Sequence, residues 1–363
     1  MSAYHLHALA LTRTYAESRQ ASAKATIEHV LSMSDISAKD WKACRELIRE
    51  KACIGLHFHP YRLNEDGVSV LALLLQDGKY KNQFETQISN GSLTAFPGGK
   101  RDQWENQLFD KLYEKTEIPF SHRPKYGALQ LLAQSDGPCP RFGSCYFILK
   151  PSLSAYSTFT YGDSYLLPAE KGTLKAFDGI LAAMMSDSFE REAALGHIHL
   201  RPEAMVNNLT RMLKASVRDR IFYLPRRNLD HYIEAQVHKD ILLEEDVAAL
   251  VADAHFMDTP YQGLLEELSQ RYGFPLYWHP GFELKAEEVP KNFRGKHMPA
   301  VAERIAIAGK VHAYALAEAE KSRFHRPNEP WPSLQQLKYL WHTLVRTGTW
   351  SPEVWEMQKE AGK

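Results

Sequence analysis

The sequence predicts an α+β protein. Two strands with chemistry-bearing side chains, a run of short strand candidates between them, and helical periodicity at both ends and once in the middle carry that expectation. Residues 229–238 place Asp230, Tyr232, Glu234, Gln236 and His238 at even positions and Leu229, Ile233, Ala235 and Val237 at odd ones; only His231 breaks the split. Successive strand residues point to opposite faces, so this segment has an apolar back and a polar front that either meets solvent or lines a cleft. Residues 53–59 repeat the design, with Ile54, Leu56 and Phe58 on one face, His57 and His59 on the other, and Pro60 as a stop.

Composition bounds the rest. A chain of 363 residues, 44% hydrophobic and 24% charged, describes an ordinary soluble globular protein of one large or two smaller domains. Lys+Arg and Asp+Glu both number 44, so there is no global basic footprint for nucleic acid. Four scattered cysteines (Cys44, Cys53, Cys139, Cys145) form no CxxC pair, which argues against a zinc knuckle and a disulfide framework and suits a reducing compartment. The N-terminus shows no signal-peptide pattern, and no apolar run approaches a membrane span. The expectation is a cytoplasmic protein with no membrane partner, a non-classical export route staying open.

In chain order, residues 1–50 read as helices, with Ile27, Val30 and Leu31 at helical spacing and Ser37 as a cap before 41–49. Residues 68–75 form a short apolar helix ended by Gly78. Residues 83–91 alternate and end in the turn pair Asn90-Gly91; Pro97-Gly98-Gly99 opens a loop before an amphipathic helix at 101–112 carrying Trp104, Leu108 and Phe109. Strand candidates at 126–132, 143–149 and 157–161 suggest an antiparallel meander. Residues 171–220 read as helical, with Met184, Met185, Met205 and Met212 on core-facing stripes. A loop and helix at 241–252, an aromatic strand at 272–282 and helices from 298 onward complete the chain.

Three readings compete on residues alone. The pairs His57/His59 and His197/His199 raise a metal-dependent hydrolase, since a strand points alternate imidazoles the same way; no spaced Asp, Glu or Cys set completes a coordination sphere, and the 171–220 helix would split His197 from His199. Phosphate-loop and GxSxG signatures are missing, Phe96–Arg101 being the nearest phosphate-loop mimic. A non-catalytic interaction module is the third option.

The strings HFHPYR (57–62), QFETQISNG (83–91), RPKYG (123–127), RFGSCYF (141–147), TFTYGDS (158–164), EAQVH (234–238) and YWHPGFE (277–283) resemble a bacterial protein family of unknown function over about residues 50–295. The order of a His-bearing strand, a Thr/Ser segment, short strands and a last strand with a central Glu also resembles the ADP-ribosyltransferase superfamily. That resemblance implies a split, twisted β-sandwich core over residues 51–295, with a helical lead (1–50), a helical insertion (about 166–222) and a helical tail (296–363). It implies an NAD-dependent transferase of ADP-ribose, a bacterial toxin or effector, with NAD as substrate and an unidentified protein, nucleic acid or small molecule as acceptor. Glu234 then matches the catalytic carboxylate. The family often has Gln or Glu two residues before it, where this chain has Tyr232, and Gln236 stands two after, so both join it as catalytic candidates. His57, His59, Arg62, Glu85, Thr86, Ser89, Asn90, Gly91 and Tyr126 become NAD-binding candidates, with Arg62 on the pyrophosphate, and Arg101, Arg141 and Asp163 further pocket residues.

Overall fold

A computed structural model describes residues 1–89, 91, 93–114, 118–350, 353, 354 and 356. Helices α1 (Ala3–Ser18), α2 (Gln20–Ser32) and α3 (Ala38–Lys51) form the lead. The Ser37 hydroxyl caps α3 by accepting from Asp40 N at 3.0 Å. Strand β1 (Cys53–Phe58) follows, then helix α4 (Val70–Asp77), closed by Gly78 in the left-handed region. Helix α5 is Lys100–Leu108. The remaining strands of the main sheet are β2 (Lys125–Gln130), β3 (Cys145–Leu149), β4 (Ser157–Tyr161), β5 (Lys171–Thr173), β6 (Ile233–Val237), β7 (Val247–Asp253) and β8 (Leu276–His279). Between them lie α6 (Asp178–Arg191), α7 (Pro202–Lys214) and α8 (Pro260–Tyr272); α9 (Met298–Ile305), α10 (Ala313–His325) and α11 (Leu334–Thr347) end the chain.

These eight strands make one mixed sheet in the order β8-β7-β3-β1-β2-β6-β4-β5. The β7/β8 pair is parallel, joined through α8, and the other neighbours are antiparallel. The expected meander is therefore corrected: β2, β3 and β4 follow each other in sequence but not in space, because β1 separates β2 from β3 and β6 separates β2 from β4. The sandwich expectation is likewise met by one continuous sheet rather than two packed ones.

Three local readings also change. Residues 171–220 include the edge strand β5 and a hairpin pairing Ala193–Ala194 with His197–Ile198, so His197 lies on a strand, buried, with His199 exposed. The expected helix within 241–252 is mostly the strand β7, whose Val247, Ala249, Leu250, Val251 and Ala252 are all buried in the sheet. Residues buried on both faces run continuously apolar, and such runs carry no periodicity to separate strand from helix. The 83–91 segment opens as a one-turn helix, Gln83–Thr86, because Asn82 accepts from Phe84 N and Glu85 N and fixes the backbone.

The apolar sides of β1 and β6 (Ile54, Leu56, Phe58; Ile233, Ala235, Val237) enter one large core. Lead helices supply Ile27, Val30, Trp41 and Ile48, the middle segment Met184, Met185, Met205 and Leu209, and the last helices Met298, Leu316, Leu337 and Trp341. All four cysteines are free and buried. No helix among the described residues is long and apolar enough to cross a membrane.

One ionic contact ties the end of β1 to the last helices. The Arg62 guanidinium pairs with the Glu320 carboxylate of α10, each side chain 1% exposed. Glu320→Ala leaves a buried guanidinium without its carboxylate and is expected to cost about 3–5 kcal/mol. Urea unfolding at neutral pH reads this; a loss below about 1 kcal/mol would show that the pair does not hold α10 to the sheet.

Candidate functional site

The polar sides of β1 and β6 face the same way across β2. Register places Glu234 between Ala128 of β2 and Thr160 of β4, and Gln236 between Tyr126 and Thr158. A cleft of about 630 Å³ opens on this side, within the range of small-molecule sites. His57 and His59 reach it from β1, Tyr126 from β2 and Glu234 from β6; Arg101, Trp104 and Glu105 reach it from α5, Arg141 and Asp163 from turns, and Gln335, Lys338 and Tyr339 from α11.

Glu234 is held by a directional chain of hydrogen bonds. Its Oε1 accepts from Gln236 Nε2 at 2.9 Å, and the same amide nitrogen reaches Thr160 Oγ1 at 3.3 Å. Gln236 Oε1 accepts from Thr158 Oγ1 at 2.7 Å, so the Thr158 proton is spent there. His238 Nε2 lies 2.9 Å from the same hydroxyl and must be its donor, with Thr158 accepting. Burial keeps that imidazole neutral, its pKa pushed down to about 3. Thr160 in turn donates to Gly162 O at 2.9 Å. Gln236 and His238 are thus wholly buried behind the cleft, and neither solvent nor the cleft takes that face as a whole; the His238 Nδ1 is buried without a hydrogen-bond partner among the described residues.

Burial, reinforced by the Asp163 carboxylate, pushes the Glu234 carboxyl up to about 7. Hydrogen bonds from Ser164 and Gln236 and the charge of Arg101 oppose this without cancelling it. Asp163 sits 3.7 Å from Arg141, which also reaches Asp230 at 2.8 Å. A second acid stands across Tyr126, whose hydroxyl donates to Glu105 Oε1 at 2.8 Å while Arg123 Nη1 donates to Oε2 at 2.9 Å. The Arg101 guanidinium lies 4.7 Å from both the Trp104 and Tyr126 ring centroids, a flat aromatic-cationic wall.

The two β1 histidines have different uses. His57 Nδ1 lies 3.1 Å from Gly143 O and must donate, while Nε2 accepts from Cys139 N at 3.4 Å, so both ring nitrogens are engaged by backbone. The first contact depends on Gly143, where a Cβ would fall 2.3 Å from the Phe58 backbone. Burial lowers the His57 pKa to about 3, and burial with Arg62 nearby holds His59 well below its ordinary range, so both rings are neutral. His59 meets Ser144 Oγ through Nδ1 at 3.5 Å, leaving Nε2 as the ring nitrogen outside that bond.

The other candidates separate as follows. Thr86, Ser89 and Gly91 line the cleft, as does Arg62, although the pairing with Glu320 takes the Arg62 charge away from the pyrophosphate role expected of it. Asn90 lies outside the described residues. Glu85 does not line the cleft; its carboxylate accepts from Asn82 N at 2.9 Å and completes a capping box. Tyr232 packs against Phe142, with ring centroids 5.8 Å apart, beside Ala128 and Cys139. Its hydroxyl is buried without a hydrogen-bond partner among the described residues. Arg101, Arg141 and Asp163 all reach the cleft, whereas Glu105 and the α11 residues had been missed. A signal for α11 existed: Gln335, Lys338, Tyr339 and His342 recur at helical spacing on one face. Among the described residues, no group of three or more His, Cys, Asp or Glu is arranged to hold a metal ion.

The Glu234 environment sets a pH dependence of stability. The folded protein retains this proton where an unfolded glutamate, at 4.5, has lost it, so stability falls as pH rises from about 4.5 to about 7. Glu234→Gln is therefore expected to stabilise the protein above pH 7, by on the order of 3 kcal/mol, with the gain shrinking toward zero below pH 4.5. Thermal melts across that window check it; a gain equal at acid and alkaline pH would mean that ionisation is not its origin.

No curated protein matches the chain. A family model does match residues 53–347, from the first sheet strand to the end of α11, and the chain belongs to that family, described as "Protein of unknown function (DUF3626)".

Proposed function

We propose that this protein is an NAD-dependent ADP-ribosyltransferase that uses Glu234 as its reacting carboxylate. The observation that carries the reading is a buried carboxylate, poised near neutrality and fixed in orientation by Gln236, at the wall of a cleft large enough for a small molecule. In the reaction the bond between nicotinamide and ribose breaks, its electron pair leaves with nicotinamide, and the ribose takes on oxocarbenium character. A nucleophile on the acceptor then bonds to that carbon and gives up a proton. Ionised Glu234, accepting a hydrogen bond from a ribose hydroxyl, stabilises the developing positive charge as glycosidase carboxylates do. Arg101, with its guanidinium near both the Trp104 and Tyr126 rings, offers a cationic and aromatic wall to the substrate. His59 offers a neutral imidazole for a hydroxyl contact, a role the backbone bonds of His57 deny to its neighbour.

The same His57 bonds weigh against the metal-hydrolase alternative, because neither ring nitrogen keeps a lone pair for a cation. An interaction module would have no need of a carboxylate whose ionisation the fold opposes. A toxin or effector role belongs to this proposal only through the resemblance in the sequence.

The test is NAD binding by thermal shift together with nicotinamide release, with lysate supplying an acceptor. NAD is expected to stabilise both the wild type and Glu234→Gln, with release about 10²- to 10³-fold slower in the variant. Because the carboxylate is the working form, kcat/KM should rise with pH through about 7 and then level off. No stabilisation and no release under these conditions would overturn the reading.

A further inference from the structure

Positive charge collects at the α11 end of the cleft beyond what the local acids match. Lys338 and Arg141 both line this end. Arg294, in the loop before α9, brings its guanidinium to 5.6 Å from the ring centroid of Tyr339, the cleft residue next to Lys338. Arg141 is shared between Asp230 and Asp163, and the Arg62 charge is matched by Glu320. Lys338 and Arg294 have no carboxylate within ion-pair distance among the described residues. The Nε donors of Arg141 and Arg294 are buried without hydrogen-bond partners there.

His342 feels the charge of the same three cations. It lies one turn beyond Lys338 on α11 and is 1% exposed. Burial, then Arg294, Arg141 and Lys338, push its pKa down to about 2, so the ring stays neutral and adds no charge. The Lys338 ammonium is itself pressed downward by burial and by Arg141 and Arg294, and Asp163 offsets only part of this. Gathering partly buried cations with unused donors is unfavourable unless an anion joins them.

We infer that Lys338 and Arg141 at the α11 end of the cleft, with Arg294 behind Tyr339, form a subsite for a diphosphate group. Two features favour a diphosphate over a single carboxylate. Arg141 already faces Asp163 and Asp230, so the unmatched charge is that of Lys338 and Arg294 from two separate segments, and guanidinium forks together with an ammonium suit several phosphate oxygens at once. For the source of the diphosphate the inference rests on the dinucleotide reading above, and it moves that contact from Arg62 to a set that includes Lys338, on a helix outside the 51–295 core expected from sequence.

The test is calorimetric titration at low salt with inorganic pyrophosphate, ADP-ribose and adenosine. Pyrophosphate is expected to bind the wild type and Lys338→Arg, and to fail with Lys338→Glu. ADP-ribose should weaken by about 10- to 100-fold in Lys338→Ala, while adenosine is unaffected. Circular dichroism of each variant checks that the fold persists, and Lys338→Arg keeps the test valid should the glutamate variant unfold. Pyrophosphate binding equally well to Lys338→Glu, or not binding to the wild type, overturns the subsite. The two readings fail separately. Pyrophosphate binding that follows Lys338 without nicotinamide release from NAD removes the transferase and keeps the subsite; NAD turnover with an unchanged KM in Lys338→Ala does the reverse.

Discussion

The hydrogen bond from the Gln236 amide to the Glu234 carboxylate fixes the rest of the site. Its other end is anchored by Thr158, and Thr158 by His238, so the carboxylate is aimed from within the sheet rather than from the cleft. With Glu234 ionised, each member has one consistent donor–acceptor assignment. A carboxylate positioned in this way needs little reorganisation when a ligand arrives, which is the condition under which fixed electrostatics act most strongly on a reacting centre. It also accounts for polar residues at Glu234, Gln236 and His238 without a wet face, since Gln236 bonds Glu234 and Thr158 links Gln236 to His238.

What was legible from sequence follows the strength of local signals. Alternation placed β1 and β6 and set Glu234 and the two histidines on polar sides, because a period of two survives wherever a strand has unlike faces. Gly78 and Ser37 marked helix ends through geometry that depends on few neighbours. The strand β7 was lost because Val247–Asp253 is buried throughout and so carries no period. Strand order was lost as well, since nothing in the spacing of 126–161 says that β1, far earlier in the chain, enters between two of those strands.

Individual roles were harder to read than positions. His57 and His59 are equivalent in sequence, yet Gly143 and Cys139 spend both nitrogens of the first, a fact set by residues more than 80 positions away. Glu85 looked like a pocket acid because it is polar and near Ser89; its partner is the Asn82 backbone N–H three residues earlier, which a capping-box pattern of Asn82 and Glu85 could have revealed. Arg62 looked free because Glu320 lies 258 positions along the chain. Assigning 296–363 to a helical tail outside the core hid α11 for the same reason: Lys338 and Tyr339 line the cleft, and Trp341 and Leu344 on its other side enter the core.

The raised pKa of Glu234 is the feature on which the proposed chemistry rests. A carboxyl whose pKa is raised by burial and by Asp163 makes the folded protein less stable at neutral pH than an uncharged amide of the same shape would. Gln236 shows that an amide is well accommodated two residues away on the same strand face, so the backbone does not demand an acid here. Glu105, also buried, is different: Arg123 and Tyr126 both bond its oxygens, and it reads as part of the frame. Glu105 also lines the cleft with a raised pKa, but a guanidinium bonds it directly, whereas the hydrogen bonds that aim Glu234 come from the uncharged Gln236 and Ser164. Residues that oppose stability in this way accumulate where a protein acts on a ligand, and the strain is tolerated because the large core on the other side of the sheet carries the fold.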